Sequence, residues 1–312
     1  MSMRRLVTHV AVQAATVGLA VVAMAAPALA AGNHGGGSGS VSAVTGNDIS
    51  YPQCGGAFPP SPAFGIVGVN GGLANDLNPC LGPSSSYPSY KQAELYWAAA
   101  VPTGVTSQPK ASLYVNTADP GNLYQGTPVA DWPTSGTTPF GACKTTTVTT
   151  SHGTFTVGRN SRACAWRYGD NKAAQDVSWI TTAAQAINAQ NPPVTVAATA
   201  GSYPWWLDVE TQNSWRTGTS GQAMNVADLQ GMIAALRHAG ASSVGAYSTS
   251  SQWNVITGGT TSASGTLYRI PNWITGAKTL SGAKSNCRLA SFTSGKVLIT
   301  QWTGTPDHDY AC

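Results

Sequence analysis

The chain has 312 residues, with 16 Lys or Arg against 12 Asp or Glu and a formal net charge of +4. Only 9% of the residues are charged. No basic cluster or charge run is present, which argues against nucleic acid or an anionic membrane surface as a partner.

Residues 1–30 hold the three parts of a signal peptide: Arg4 and Arg5, the apolar run VAVQAATVGLAVVAMAA, and the small residues ALA at 28–30. The run is slightly long for a signal core, and an uncleaved anchor is the competing reading. Cleavage would start the mature chain near Ala31, lower the net charge to +2 and leave no stable membrane insertion. The expected location is therefore extracellular, secreted or cell-wall associated. Residues 31–43 are Gly/Ser-rich and read as a flexible spacer. Residues 44–312 then form one expected domain.

Seven short apolar runs follow: NDISY (47–51), FGIVGV (64–69), ASLYVN (111–116), WWLDVE (205–210), SVGAYST (243–249), NWITGA (272–277) and KVLITQW (296–302). Most are continuous instead of alternating, as expected of parallel strands covered on both faces. Helical segments lie between several of them. YPSYKQAELYWAAA has Pro88 near its start, and NKAAQDVSWITTAAQAINAQ is long and alanine-rich. NVADLQGMIAALRHAG puts Val226, Leu229, Ile233 and Leu236 on one face, with Asn225 and Asp228 as a cap and Gly240 as a stop. This succession predicts an α/β fold with a parallel sheet, closed as a (β/α)8 TIM-type barrel. Residues 117–168 break the rhythm. Rich in Thr, Gly and Pro, and holding Cys143 and Cys164, they read as an insertion after the third strand, a small hairpin tied by its own disulfide. NGG and GDNK read as turns.

All six cysteines lie beyond residue 43, and an even number in an exported chain reads as three disulfides. There is no C-x-x-C pair and no histidine at zinc spacing, so neither a metal nor a cofactor is expected. About 15 pairings are open to six cysteines. Local pairing, Cys54–Cys80, Cys143–Cys164 and Cys287–Cys312, is the one expected.

Glu94 and Glu210 are the only glutamates, and Glu210 stands one residue after Asp208 at the end of the run YPWWLDVE. Residues i and i+2 of a strand face the same side, so both would point into a barrel, their backbones roughly 6.6 Å apart. Barrels carry their chemistry at the C-terminal ends of their strands. Paired carboxylates suit glycosidic cleavage: one holds a proton for the leaving oxygen, and another stabilises or attacks the cationic sugar centre. A bare D-x-E also occurs in surface strands and turns, but behind two tryptophans it does not read as a solvated face.

Other strand ends make the pattern more specific. Asp48-Ile49-Ser50 and Gln53 open the first strand, Tyr247, Ser248, Thr249 and Trp253 follow the fifth, and Gln301, Trp302 and Asp309 close the chain. This ordered set over residues 44–312 resembles the family 25 glycoside hydrolases, the lysozyme-type muramidases, and related glycoside-hydrolase-like domains of secreted bacterial proteins. The resemblance implies a barrel glycosidase acting on a bacterial cell-wall glycan, with Glu210 as general acid and Asp208 positioning or stabilising the reacting sugar. Asp48 and Asp309 would complete an acidic floor, with Asp307 a second match for the final aspartate. Tyr247, Trp253, Gln301, Trp302 and Trp206 would bind the glycan. The second strand reads VGVNGGLANDLNPC and the third LYVNTADPG, where the family usually carries Lys-x-x-[ED]-Gly and a YH pair.

Like charge from Asp208 and desolvation by tryptophan would hold Glu210 protonated. Trp206, Trp253, Trp273 and Trp302 fall at strand ends, where they could stack on sugars or pack the barrel top. Glu94, three residues after Lys91, reads as a solvated helical pair. His308, between two aspartates, is the one histidine expected near the cleft. The partner is a polysaccharide and the protein a monomer; a non-catalytic carbohydrate-binding barrel at the cell surface is the competing reading, and retention of the D-x-E pair favours the enzyme.

Overall fold

The computed structural model describes residues 44–60, 62–71, 74–101, 104–105 and 107–312; the expected signal peptide and spacer lie outside them. Eight strands close into a barrel in chain order. They are β1 (Thr45–Ile49), β2 (Gly65–Gly68), β3 (Ala111–Asn116), β4 (Trp205–Asp208), β5 (Val244–Ser248), β6 (Asn272–Ala277), β7 (Val297–Trp302) and β8 (His308–Ala311). The first seven are parallel, and β8 runs antiparallel to both β7 and β1.

The expected eightfold β/α repeat is thereby corrected. Among the described residues there are five α-helices, α1 (Glu94–Ala100), α2 (Arg162–Asn188), α3 (Gly218–His238), α4 (Ser250–Thr257) and α5 (Leu280–Asn286), one in each connection from β2 to β7. Among the described residues between β1 and β2 there is one 3-10 turn, Tyr51–Gln53. Five residues, 303–307, join β7 to β8. A parallel return needs about a dozen or more residues, so the chain can only fold straight back, and the last strand reverses.

All four residues of β2 and of β4 are buried, as continuous apolar runs demand. Val67, Leu113, Val115 and Leu207 pack outward against the helices, while Ile66, Trp206, Trp273 and Ile299 fill the barrel. Gly245 makes room for this filling, because a Cβ there would sit 2.3 Å from the Trp206 ring.

Two helices start earlier than their sequence suggests. Ser161 caps α2, its hydroxyl accepting from Cys164 N at 3.3 Å. GDNK is therefore helix interior and not a turn: a Cβ at Gly169 would lie 2.1 Å from the Asp228 carbonyl, and one at Gly231 1.9 Å from that of Trp166. Glycine serves here to let α2 and α3 touch backbone to backbone. Similarly, α3 begins at Gly218. Asn225 lies inside it and donates to the carbonyls of Arg216 and Ile256 at 2.9 and 2.8 Å.

The insertion consists of three short antiparallel pairs, not one hairpin: Leu123–Tyr124 with Thr127–Pro128, Thr137–Thr138 with Gly141–Ala142, and Thr145–Thr150 with Gly153–Gly158. It ends where α2 begins. The disulfides are Cys54–Cys80, Cys143–Cys164 and Cys287–Cys312. The second ties the insertion to the first turn of α2. No helix among the described residues is long and apolar enough to cross a membrane.

Glu94 departs from its expected solvation. It is 0% exposed, and Asn78 Nδ2 donates to its Oε2 at 2.7 Å while also donating to the Gly68 carbonyl at 2.7 Å. The other carboxyl oxygen lies 3.0 Å from Cys80 Sγ. Burial pushes this carboxyl up to about 8, against the Asn78 hydrogen bond, which lowers it. A helix start packed against a disulfide leaves no route to water, which the i, i+3 spacing to Lys91 could not reveal.

Candidate active site

Side chains alternate across each strand, so every strand sends its last inward residue to the mouth of the barrel. The C-terminal ends of the parallel strands surround a cleft of about 230 Å³, which Asp48, Asp208, Glu210, Asp307, Tyr247 and Gln301 line together. Ser50, Tyr51, Tyr114, Asn116 and Trp273 complete its walls. Four carboxyl groups thus meet although Asp48 and Asp307 come from opposite ends of the domain.

Gln301 organises this arrangement. Its Oε1 accepts from the hydroxyls of Tyr247 at 2.8 Å and Thr275 at 2.6 Å. With the carbonyl end taken, the amide nitrogen is turned to Asp48, donating to Oδ2 at 3.0 Å. Loss of water pushes the Asp48 carboxyl up to about 6; Gln301 opposes the rise and the charge of Asp307 adds to it. Asp208 is nearly buried, and its Oδ1 has no hydrogen-bond partner among the described residues. Its carboxyl is held well above the ordinary range, first by burial and then by the charges of Glu210 and Asp48.

Glu210 lies two residues past the end of β4 and is part-exposed. Gln252 Nε2 donates to its Oε1 at 3.3 Å, and its own carbonyl accepts from Trp215 Nε1 at 2.8 Å. The desolvation expected for Glu210 therefore falls on Asp208. The reason is depth: Trp206, two residues below Asp208 on β4, lies inside the barrel, packed edge to face with Trp273 at 6.0 Å, and does not surround Glu210.

Asp309 belongs to the same end of the barrel for a different reason than the other strand-end residues. It lies in the first half of β8, and because β8 is reversed, that half is at the mouth. Asp309 is opposite Gly46 in register, two residues deeper than Asp48. It is fully buried, and burial, reinforced by the Asp48 charge, raises its carboxyl well above the ordinary value. Asp307, at the surface of the cleft, is the aspartate that a ligand would meet.

Several expected contacts are not made. Trp253 belongs to α4, is 0% exposed, packs on Phe292 at 5.0 Å and donates to Thr260 Oγ1 at 2.6 Å. It is core outside the barrel. Trp206 is interior filling one layer below Asp208. Trp302 and His308 are opposite each other in register and stack at 4.9 Å on the face away from Gln301 and Asp309, so neither lines the cleft. Tyr114, Asn116 and Thr275 were missed by sequence reasoning. The signal was present in the parity of β3, since Tyr114 and Asn116 are two apart at a strand end.

Among the described residues the carboxylates of the cleft do not form a metal-ligating cluster. The one group of donor atoms mutually within 4.8 Å is Cys54, Cys80 and Glu94. Its two sulfurs are joined as a disulfide, so neither is a thiolate ligand.

No protein-family model matches the chain, and no curated protein matches it. Among solved structures it is similar to the modular autolysin LytC from Streptococcus pneumoniae, at 13% identity and a TM-score of 0.41, over 87% of this chain and 46% of that one. LytC in complex with a synthetic peptidoglycan ligand gives 12% identity, the same TM-score and the same coverage. The chain thus spans about half the length of LytC. The bacterial lysozyme from Streptomyces coelicolor is similar at 11% identity and a TM-score of 0.37, over 87% of this chain and 93% of that one.

Proposed function

We propose that the protein is an exported glycoside hydrolase that cleaves a bacterial cell-wall glycan by carboxylate acid/base chemistry. The observation that carries this reading is the cleft in which Asp48, Asp208, Glu210 and Asp307 converge in unlike environments. Neighbouring carboxyls that differ in burial are what a proton donor and a charge-stabilising partner require. Burial favours the proton on Asp208, and the part-exposed Glu210 near it at the rim is the group we assign as proton donor to the leaving oxygen. Asp48, ionised above about pH 6, supplies the negative charge that stabilises the cationic sugar centre. Tyr247 and Gln301 orient Asp48, and Asp309 supports it from below. Three disulfides in one domain accord with an oxidising compartment.

The test is release of soluble oligosaccharides from purified cell-wall polysaccharide. Glu210→Gln should reduce release by roughly 10²–10⁴-fold, the usual contribution of a general acid, with glycan affinity retained. Asp208→Asn should also impair release. Cleavage that survives Glu210→Gln would remove Glu210 from the acid role. Binding without cleavage by the wild-type protein would instead establish a carbohydrate-binding barrel.

A further inference from the structure

A second cavity, of about 460 Å³, lies at the same end of the barrel. Its walls come from the insertion (Tyr124, Val129 and Asp131), from the loop after β3 (Ala118) and from the loop after β4 (Asn213 and Ser214). Asn116, at the end of β3, and Glu210, on the loop after β4, line the acidic cleft. The chain spans at most about 3.6 Å per residue, so Ala118 lies within about 7 Å of Asn116, and Asn213 within about 11 Å of Glu210. Thr117 N and Oγ1 both donate to the Asp208 carbonyl, and Asp119 N donates to that of Ser214, so the two loops run bonded side by side from one site to the other. One extended ligand could occupy both.

The cavity is held in shape. Arg216 Nε donates to buried Asp119 Oδ1 at 2.8 Å, its Nη2 donates to Asn160 Oδ1 at 3.0 Å, and its guanidinium lies 4.9 Å from the Trp132 ring centre. This clamp joins the β3 loop, the β4 loop and the insertion. The lining selects among ligands. Asp131 is paired with Lys172, so its carboxylate offers acceptor oxygens without an unbalanced charge, which favours hydroxyl donors over cations. Asn75 has its carbonyl oxygen engaged by the Tyr168 hydroxyl at 3.2 Å, leaving its amide nitrogen as a donor. Ala118 and Val129 add apolar surface, and Tyr124, 56% exposed, presents a flat ring at the rim. A flat aromatic ring, apolar surface and neutral hydrogen-bonding groups together fit an uncharged sugar.

We infer that the insertion builds a second glycan-binding pocket, which takes an uncharged sugar unit of the chain whose other part lies in the acidic cleft. This rests on the glycosidase reading for the cleft, and its test separates the two. Glu210→Gln protein, which spares the chain from cleavage, is titrated with β-1,4-linked N-acetylglucosamine as a disaccharide and as a hexasaccharide. NMR follows the methyl groups of Ala118 and Val129 for the pocket and the side-chain amides of Asn116 and Gln301 for the cleft. With the hexasaccharide both sets should shift. Adding Tyr124→Ala, at an exposed position whose loss leaves the fold intact, should weaken hexasaccharide affinity about tenfold and leave the disaccharide unchanged. Shifts confined to the cleft amides, or equal effects of Tyr124→Ala on both lengths, would overturn the pocket and leave the cleft reading standing. Shifts confined to the methyl groups would uphold the pocket and sink the cleft reading, and no shift at either site would overturn both.

Discussion

Glu94→Gln should make the protein more stable at neutral pH, because it removes an ionisable group from a site that disfavours charge. The carboxyl is fully buried and pushed from 4.5 up to about 8. Between those values the folded protein keeps a proton that the unfolded chain has released, so stability falls as pH rises. At about 1.4 kcal/mol per pH unit, the interval from 4.5 to 7 costs roughly 3 kcal/mol. Above pH 8 the cost levels off near roughly 5 kcal/mol. Glutamine copies the protonated carboxyl in size, can still accept from Asn78 Nδ2, and never ionises. Urea unfolding of both proteins at pH 5, 6, 7 and 8 isolates the effect, since every other titrating group cancels in the difference. The two should agree at pH 5 within about 1 kcal/mol, and the variant should lead by roughly 3 kcal/mol at pH 7. A difference that stays flat across this range would refute the claim that Glu94 is buried as a proton-holding acid.

Gln301→Leu should raise the pKa of Asp48, because the hydrogen bond that lowers it is lost. A hydrogen bond to a charged group contributes roughly 1.5–3 kcal/mol, so the Asp48 carboxyl resonance followed by NMR should titrate about one to two pH units higher than in the wild type. An unmoved titration would mean that Gln301 does not hold Asp48. Gly231→Ala should cost at least about 2 kcal/mol by forcing α2 and α3 apart, seen in calorimetry as a melting point lower by about 4 °C or more; no loss would contradict the backbone contact. Cys143→Ser with Cys164→Ser should cost roughly 3 kcal/mol for the 21-residue separation and make the insertion the first segment cut in limited proteolysis. Cutting elsewhere first would show that the clamp at Arg216 holds the insertion by itself.

The strand order and the mouth of the barrel were legible because they depend on local pattern. Continuous apolar runs such as FGIVGV and WWLDVE mark strands buried on both faces whatever they later pack against. The i, i+2 rule places Asp208 and Glu210 toward the same opening from sequence alone. Trp302 and Trp253 show where such reading stops. Trp302 is one residue from Gln301 and so faces the opposite side of β7, a parity error that the strand register exposes. Trp253 follows a strand end in sequence, yet the chain has by then turned into α4 and carries the ring into the core.

The sequence by itself determined the parallel α/β pattern, the site of the insertion, and the shared facing of Asp208 and Glu210, because each follows from spacing along a single segment. Tertiary structure decided the rest. The reversal of β8 follows from a five-residue connection closing a barrel, and it brings Asp309 to the mouth from the opposite chain direction. Burial is likewise a property of what lies across from a residue. Glu94 meets Asn78 and a disulfide, Asp208 meets the barrel interior, and Gly169 and Gly231 meet a facing backbone. Acidity in this protein therefore depends on contacts between segments far apart in the chain, which no spacing within one segment encodes.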